Sequence, residues 1–224
     1  MIPKLFHYIF FDLKKGKKFE DFPIFINNLK KCREINHDFE IKVWNEKNVD
    51  ELIKKYDFYD NYLNFKYPIQ RVDFAKYLIL YENGGIYTDL DLKPVKNCSP
   101  LLNNNVIFSK SPYEPIQNNC IGTEKKNELF LSLMKYSIKQ YDEKIKNKIY
   151  ETWTGRFVLQ TTGPRMMTRF LKKYKNLPTV NITSVPEKNY DVDFPYFIDY
   201  CTKTWMQKIY YGDNIKINTK NLIK

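Results

Sequence analysis

The run from Pro68 to Leu92 constrains this chain more than any other part of it. Residues 68–82 open with a proline, whose missing N–H costs nothing in a first helical turn, and end at Asn83-Gly84-Gly85, where a left-handed residue can close a helix. Ile86-Tyr-Thr-Asp-Leu-Asp-Leu92 then alternates side chains across a strand, with Tyr87, Asp89 and Asp91 on one face. The pattern predicts a helix over 68–82, a turn tight enough for close backbone approach, and a strand over 86–92. Two carboxylates about 6 to 7 Å apart beside apolar neighbours repel each other unless a cation joins them. Mg²⁺ or Mn²⁺, which prefers oxygen ligands and leaves room for phosphates, suits such a pair. Two solvated carboxylates at an exposed strand end are the plain alternative. Asp73 and Lys76, at i and i+3 on the helix, either face the same site or form an ordinary surface ion pair.

The surrounding order is that of an α/β protein. Residues 5–11 form a nearly all-apolar and aromatic run, as expected of a strand buried on both faces. Phe22, Phe25, Ile26 and Leu29 recur at helical spacing, and residues 39–44 alternate with period two. Strand, helix, strand is the opening of a parallel unit. Further helices are expected over 49–59, 128–141 and 164–174, and a strand over 106–109. A chain of 224 residues, 43% of them hydrophobic, holds one core, so residues 1–224 are expected to form one domain. With 18 Tyr, 16 Phe and only 7 Gly, low-complexity and fibrous classes are excluded.

A formal net charge of +11 raises the question of nucleic acid, but the lysines are scattered in short runs with no nucleic-acid-binding signature, so no such partner is expected. An anionic membrane surface or anionic donor fits better. Four well-separated cysteines and two histidines offer neither a zinc site nor a disulfide framework. No uncharged apolar run approaches the length of a membrane span, so the expected location is cytoplasmic, with at most peripheral membrane attachment.

Asp73 three residues before Lys76-Tyr77, then Leu80-Tyr81, Gly84-Gly85-Ile86-Tyr87 and Asp89-Leu90-Asp91, together resemble glycosyltransferase family 32, the group that includes yeast outer-chain mannosyltransferases. The same stretch is similar to the glucosyltransferase domain of large clostridial toxins. Residues 2–10 resemble the family's opening strand, with Phe10 where the family carries Trp; its ring either stacks on the donor base or is a core residue. His7 is expected to be a satisfied core residue. Asn118-Asn119-Cys120-Ile121-Gly122 resembles the segment whose Asn reaches the donor sugar, and Asn119 is the candidate. Thr162-Gly163-Pro164 matches the family's turn into a helix and is expected to shape the site. Asp199 through Trp205 falls where the family carries a His-rich segment ending in Trp; Thr204 and Trp205 can donate to a diphosphate, and Asp199 can ligate a hard cation.

The resemblance implies a GT-A fold, a mostly parallel central sheet flanked by helices, and transfer of a hexose from a nucleoside-diphosphate sugar. UDP is favoured over GDP, the acceptor is a glycan, lipid-linked or protein hydroxyl, and configuration is retained. Asp89 and Asp91 are the expected catalytic pair, with Mn²⁺ or Mg²⁺ on Asp91, Asp89 and Asp199. Phe10, Asp73, Lys76, Asn119, Thr204 and Trp205 are the expected donor contacts. Lys76 departs from the family's usual Arg and cannot make a forked contact. Arg71, one turn earlier, points elsewhere on the helix. These departures leave a second reading, a catalytically weak sugar-nucleotide or glycan-binding module of the same fold.

Overall fold

The computed structural model of the chain describes residues 1–13, 16–110, 116–148, 154–172, 174, 179–184 and 196–199. The elements are β1 (Leu5–Ile9), α1 (Pro23–Ile35), β2 (Glu40–Trp44), α2 (Glu46–Ile53), α3 (Tyr59–Leu63), α4 (Pro68–Asn83), β3 (Gly85–Thr88), β4 (Leu92–Pro94), β5 (Val106–Lys110), β6 (Gln117–Thr123), α5 (Glu128–Lys146), α6 (Thr154–Thr161), α7 (Pro164–Leu171), β7 (Thr179–Ser184) and β8 (Phe197–Asp199). The strands form one eight-stranded sheet in the order β2-β1-β3-β6-β5-β7-β8-β4. β1 is parallel to β2 and β3, and β7 is parallel to β5 and β8. β6 runs antiparallel between β3 and β5, and β4 antiparallel to β8.

Consecutive residues of each central strand enter different cores. Ile86, Ile107 and Cys120 face one cluster, together with Phe25, Leu29 and Cys32 of α1. Tyr87, Phe108 and Ile121 face the other, with Phe74 and Leu78 of α4 and Phe130 of α5. Burial on both faces is why β1 reads as a nearly apolar run, and burying each large side chain contributes about 1.5 to 3 kcal/mol. The layers are therefore helix, sheet, helix.

The double glycine behaves as expected. Gly84 and Gly85 both have positive φ, and a Cβ on Gly85 would stand 2.5 Å from the Leu5 carbonyl oxygen. β3 thus approaches β1 more closely than a side chain would allow. His7 fixes the same corner: its Nε2 lies 2.8 Å from the Gly84 carbonyl oxygen, and Trp44 Nε1–H donates to its Nδ1 at 3.0 Å. With Nδ1 accepting, Nε2 carries the proton and donates. Burial holds the imidazole pKa down, opposed by the Gly84 carbonyl and aided by the Lys42 charge, at about 4. His7 is a satisfied core residue, as its sequence context suggested.

Some boundaries differ from the sequence reading. Residues 49–59 are not one helix but the end of α2, a bend and the start of α3. Asn118 to Gly122 belong to a strand, β6, and α6 carries too few recurrent apolar residues to stand out in the sequence. The strand expected over 86–92 stops at Thr88. Leu90 and Asp91 form a turn closed by Leu92 N–H donating to the Asp89 carbonyl at 3.1 Å, and β4 leaves to pair with β8. Alternation therefore places Tyr87 and Asp89 together, whereas the turn decides where Asp91 goes.

Candidate active site

Strand direction brings the candidate residues to one edge. β1 and β3 are parallel, so Phe10 and Asp89 follow neighbouring carboxyl ends. β6 runs the other way and starts at the same edge, and Asp89 N–H donates to the Asn119 carbonyl at 2.8 Å. β8 ends beside β4, where Asp199 is paired with Leu92, the residue after Asp91. Phe10, Asp89, Asp91, Asn119 and Asp199 are all half-buried there. Ligands of open α/β sheets sit at this kind of edge.

Behind the edge lies a buried charge cluster supplied by α4. Its N-terminal half reaches the same end of the sheet, because α4 precedes β3 through the tight glycine turn. Lys76 Nζ stands 3.3 Å from Asp73 Oδ1 and 3.1 Å from Asp89 Oδ1, and its side chain is 5% exposed. The i, i+3 pair is therefore not a surface ion pair. The Tyr87 hydroxyl donates to the same Asp89 oxygen at 2.6 Å, and the ammonium lies 5.0 Å from the Tyr87 ring centre. Asp73 receives two further hydrogen bonds: Asn118 Nδ2–H donates to Oδ1 at 2.9 Å and the Thr162 hydroxyl to Oδ2 at 3.0 Å.

Burial raises the Asp73 carboxyl pKa, against the pull of Lys76 and Thr162. Burial also opposes the charge on Lys76, but the Asp89 and Asp73 carboxylates outweigh it and hold its pKa above the ordinary lysine value. Burial and the Asp89 charge push the Tyr87 phenol well up, which keeps it a donor. The cluster is a carboxylate, an ammonium and a second carboxylate in line. Only Asp89, with its side chain 33% exposed, opens to the edge.

Asn119 does not reach toward α4. Its Nδ2–H donates to Asp199 Oδ2 at 3.0 Å, and its Oδ1 accepts from the Ser109 hydroxyl at 2.6 Å. It ties Asp199 to the strand that carries Asp89. Phe10 makes edge contacts with Phe19 and Phe22 at 5.5 and 5.8 Å between ring centres. Arg71 donates to the Leu63 carbonyl at 2.9 Å, away from the cluster, so it does not stand in for a family Arg. Thr204 and Trp205 lie outside the described residues. Sequence reasoning did not single out Tyr87 or Asn118, and it expected Thr162 only to shape the site, not to bond Asp73. Tyr87 was legible from its shared strand face with Asp89, whereas the other two come from segments 45 and 89 residues away from Asp73.

Among the described residues, no three His, Cys, Asp or Glu side chains stand together as a finished metal site. The oxygen donors at the edge still suit a hard cation. Mg²⁺ and Mn²⁺ are commonly held by one or two carboxylates and completed by water and substrate phosphate.

The similarity to known proteins agrees with this geometry. Residues 24–111 match the family model described as glycosyltransferase sugar-binding region containing DXD motif. Two mannosyl phosphorylinositol ceramide synthases of Saccharomyces cerevisiae are each 30% identical over 178 residues, which is 78% of this chain and 43% or 44% of the relative. The chain thus spans less than half the length of these relatives. An uncharacterized glycosyltransferase of Acanthamoeba polyphaga mimivirus is 27% identical over 198 residues, 84% of this chain and 72% of that one. Among solved structures, the PaToxG glycosyltransferase superimposes with a TM-score of 0.53 at 17% identity, covering 76% of this chain and 68% of that one. The resemblance to glycosyltransferase family 32 is borne out, and residues 24–111 are a glycosyltransferase sugar-binding region of the DXD type set in a GT-A fold.

Proposed function

We propose that the chain transfers a hexose from a nucleoside-diphosphate sugar to a glycan or lipid hydroxyl, with Mn²⁺ or Mg²⁺ bound at Asp91 and Asp199. The observation that carries this reading is the joining of Asp89 to the buried Asp73–Lys76 pair at the carboxyl edge of the sheet. A carboxylate whose Oδ1 is already held by an ammonium and a phenol presents Oδ2 in a fixed direction. Oδ2 then accepts from a donor hydroxyl or a metal-bound water without reorganising. Lys76, buried and charged, balances one of the two carboxylates it touches, so the cluster keeps one negative charge that favours a cation at the edge. The cation, when bound, neutralises charge that develops on that diphosphate. Phe10, half-buried just after β1, is the aromatic assigned to the nucleotide base.

The names of the yeast relatives favour mannose as the transferred sugar and an inositol-phosphate lipid as acceptor. UDP-linked hexoses remain the other donor class. A panel of UDP- and GDP-sugars with Mn²⁺, scored for release of free sugar and for its suppression by EDTA, tests the proposal. Metal-dependent release from one donor of the panel is expected. No release from any of them, with normal folding, would contradict it.

A further inference from the structure

The short turn between α6 and α7 is fastened to α4 at three successive points. Gln70 Nε2–H donates to the Thr161 hydroxyl at 2.7 Å, the Thr162 hydroxyl donates to Asp73 at 3.0 Å, and the Tyr77 hydroxyl donates to the Thr162 carbonyl at 2.6 Å. All five residues are fully or almost fully buried. The turn has little room to shift, since a Cβ on Gly163 would stand 3.0 Å from Leu159 Cα. Helix packing alone does not require a hydroxyl at 162. A valine of nearly the same shape would fill the space.

What the hydroxyl meets is a charged oxygen. Asp73 Oδ1 already accepts from Asn118 and Lys76, while among the described residues Thr162 is the hydrogen-bond donor on Oδ2. The Thr162 proton could instead go to the Val158 carbonyl, but at 3.5 Å that contact is longer and uncharged. A buried carboxylate that loses a donor turns toward its remaining partners, here Lys76 and Asn118. Lys76 Nζ would be drawn toward Asp73 and away from Asp89, which it meets at 3.1 Å.

Resting on the function proposed above, we propose that Thr162 is a positioning residue: by holding Asp73 Oδ2, it keeps the Lys76 ammonium on Asp89 and so fixes the edge carboxylate that meets the donor. Thr162 meets Asp73, and Asp73 in turn meets Lys76, so its effect on Asp89 passes through Asp73.

The test compares Thr162→Val and Thr162→Ser with the unaltered chain. Thr162→Val is expected to lower kcat about tenfold, the loss for one hydrogen bond to a charged group, with KM for the metal–donor complex changed less than threefold. Thr162→Ser, which keeps the hydroxyl, is expected to restore at least half of kcat. Equal losses in both variants would show that the methyl group matters and would overturn the proposal, as would an unchanged kcat in Thr162→Val. A second readout does not depend on turnover. With ¹⁵Nζ-labelled lysine, the buried Lys76 ammonium gives a slowly exchanging NMR signal in the unaltered chain and in Thr162→Ser. It is expected to shift and exchange faster in Thr162→Val. An unaltered chain with no metal-dependent sugar release overturns the assigned function, whereas a Lys76 signal indifferent to Thr162→Val overturns the positioning claim.

Discussion

Helices α1 and α4 lie on opposite faces of the same sheet and contrast in how they are buried. α1 buries Phe25, Asn28, Leu29 and Cys32, spaced three and four apart, and leaves its lysines in water. α4 buries every residue from Val72 to Tyr81, Asp73 and Lys76 included. α1 has one neighbouring layer, while α4 is held between the sheet and helices α5 and α6, so it has no solvent side along that stretch. A charge on the outer face of α1 is solvated. A charge on α4 must be met by protein, and the groups that meet it are those that build the edge of the site.

The largest effect expected of that contrast is at Lys76. Lys76→Met leaves Asp73 buried with one fewer partner and should cost about 3 to 5 kcal/mol in denaturant unfolding, as for a broken buried pair. Lys31 on α1, which pairs with Glu34 at 3.0 Å with both side chains 43% or more exposed, is the matched control. Comparable losses at the two lysines would break the comparison.

Next in size is the corner that holds α4 to β3. The His7 pKa in the folded chain, about 4, is below its ordinary 6.5, so the neutral imidazole contributes stability that is fully present above 6.5 and lost as the pH falls toward 4. The shift corresponds to about 3 kcal/mol. His7→Gln, which can still donate to Gly84 and accept from Trp44, should lack this part of the acid slope. Parallel slopes in the two proteins would remove His7 from the account.

Gly85→Ala should cost about 2 to 3 kcal/mol, because a strained φ is joined by a 2.5 Å contact with Leu5. Gly16 has the same φ of +92 with nothing within 4 Å, so Gly16→Ala should cost less. Smallest of all, Lys31→Ala should change stability by less than about 0.5 kcal/mol, since a screened exposed pair is worth little.

The sequence was legible where a local rule decided the outcome. The α4 helix was bounded by Pro68 and the double glycine, not by an apolar stripe, and those signals held to within a residue. The carboxylates were legible as a pair, but not their setting. Period-two alternation carried the strand through Asp91, whereas pairing of β4 with β8, from a segment about a hundred residues later, ends it at Thr88. Asn119 was singled out for the donor sugar; it meets Ser109 and Asp199, while its neighbour Asn118 turns to Asp73. One residue along a strand exchanges the two faces of the sheet, and only the register with β3 shows which Asn faces α4.

The central claim is that the carboxyl edge of the sheet binds a nucleoside diphosphate together with a divalent cation through Asp91. Isothermal titration of UDP and of GDP, each with and without Mn²⁺, into the unaltered chain and into Asp91→Asn tests it most directly. The account predicts binding of one nucleotide that needs Mn²⁺, lost by at least about tenfold in Asp91→Asn, with the melting temperature of the metal-free variant unchanged or raised because carboxylate repulsion is relieved. Mn²⁺-dependent nucleotide binding of equal strength in both proteins would contradict it.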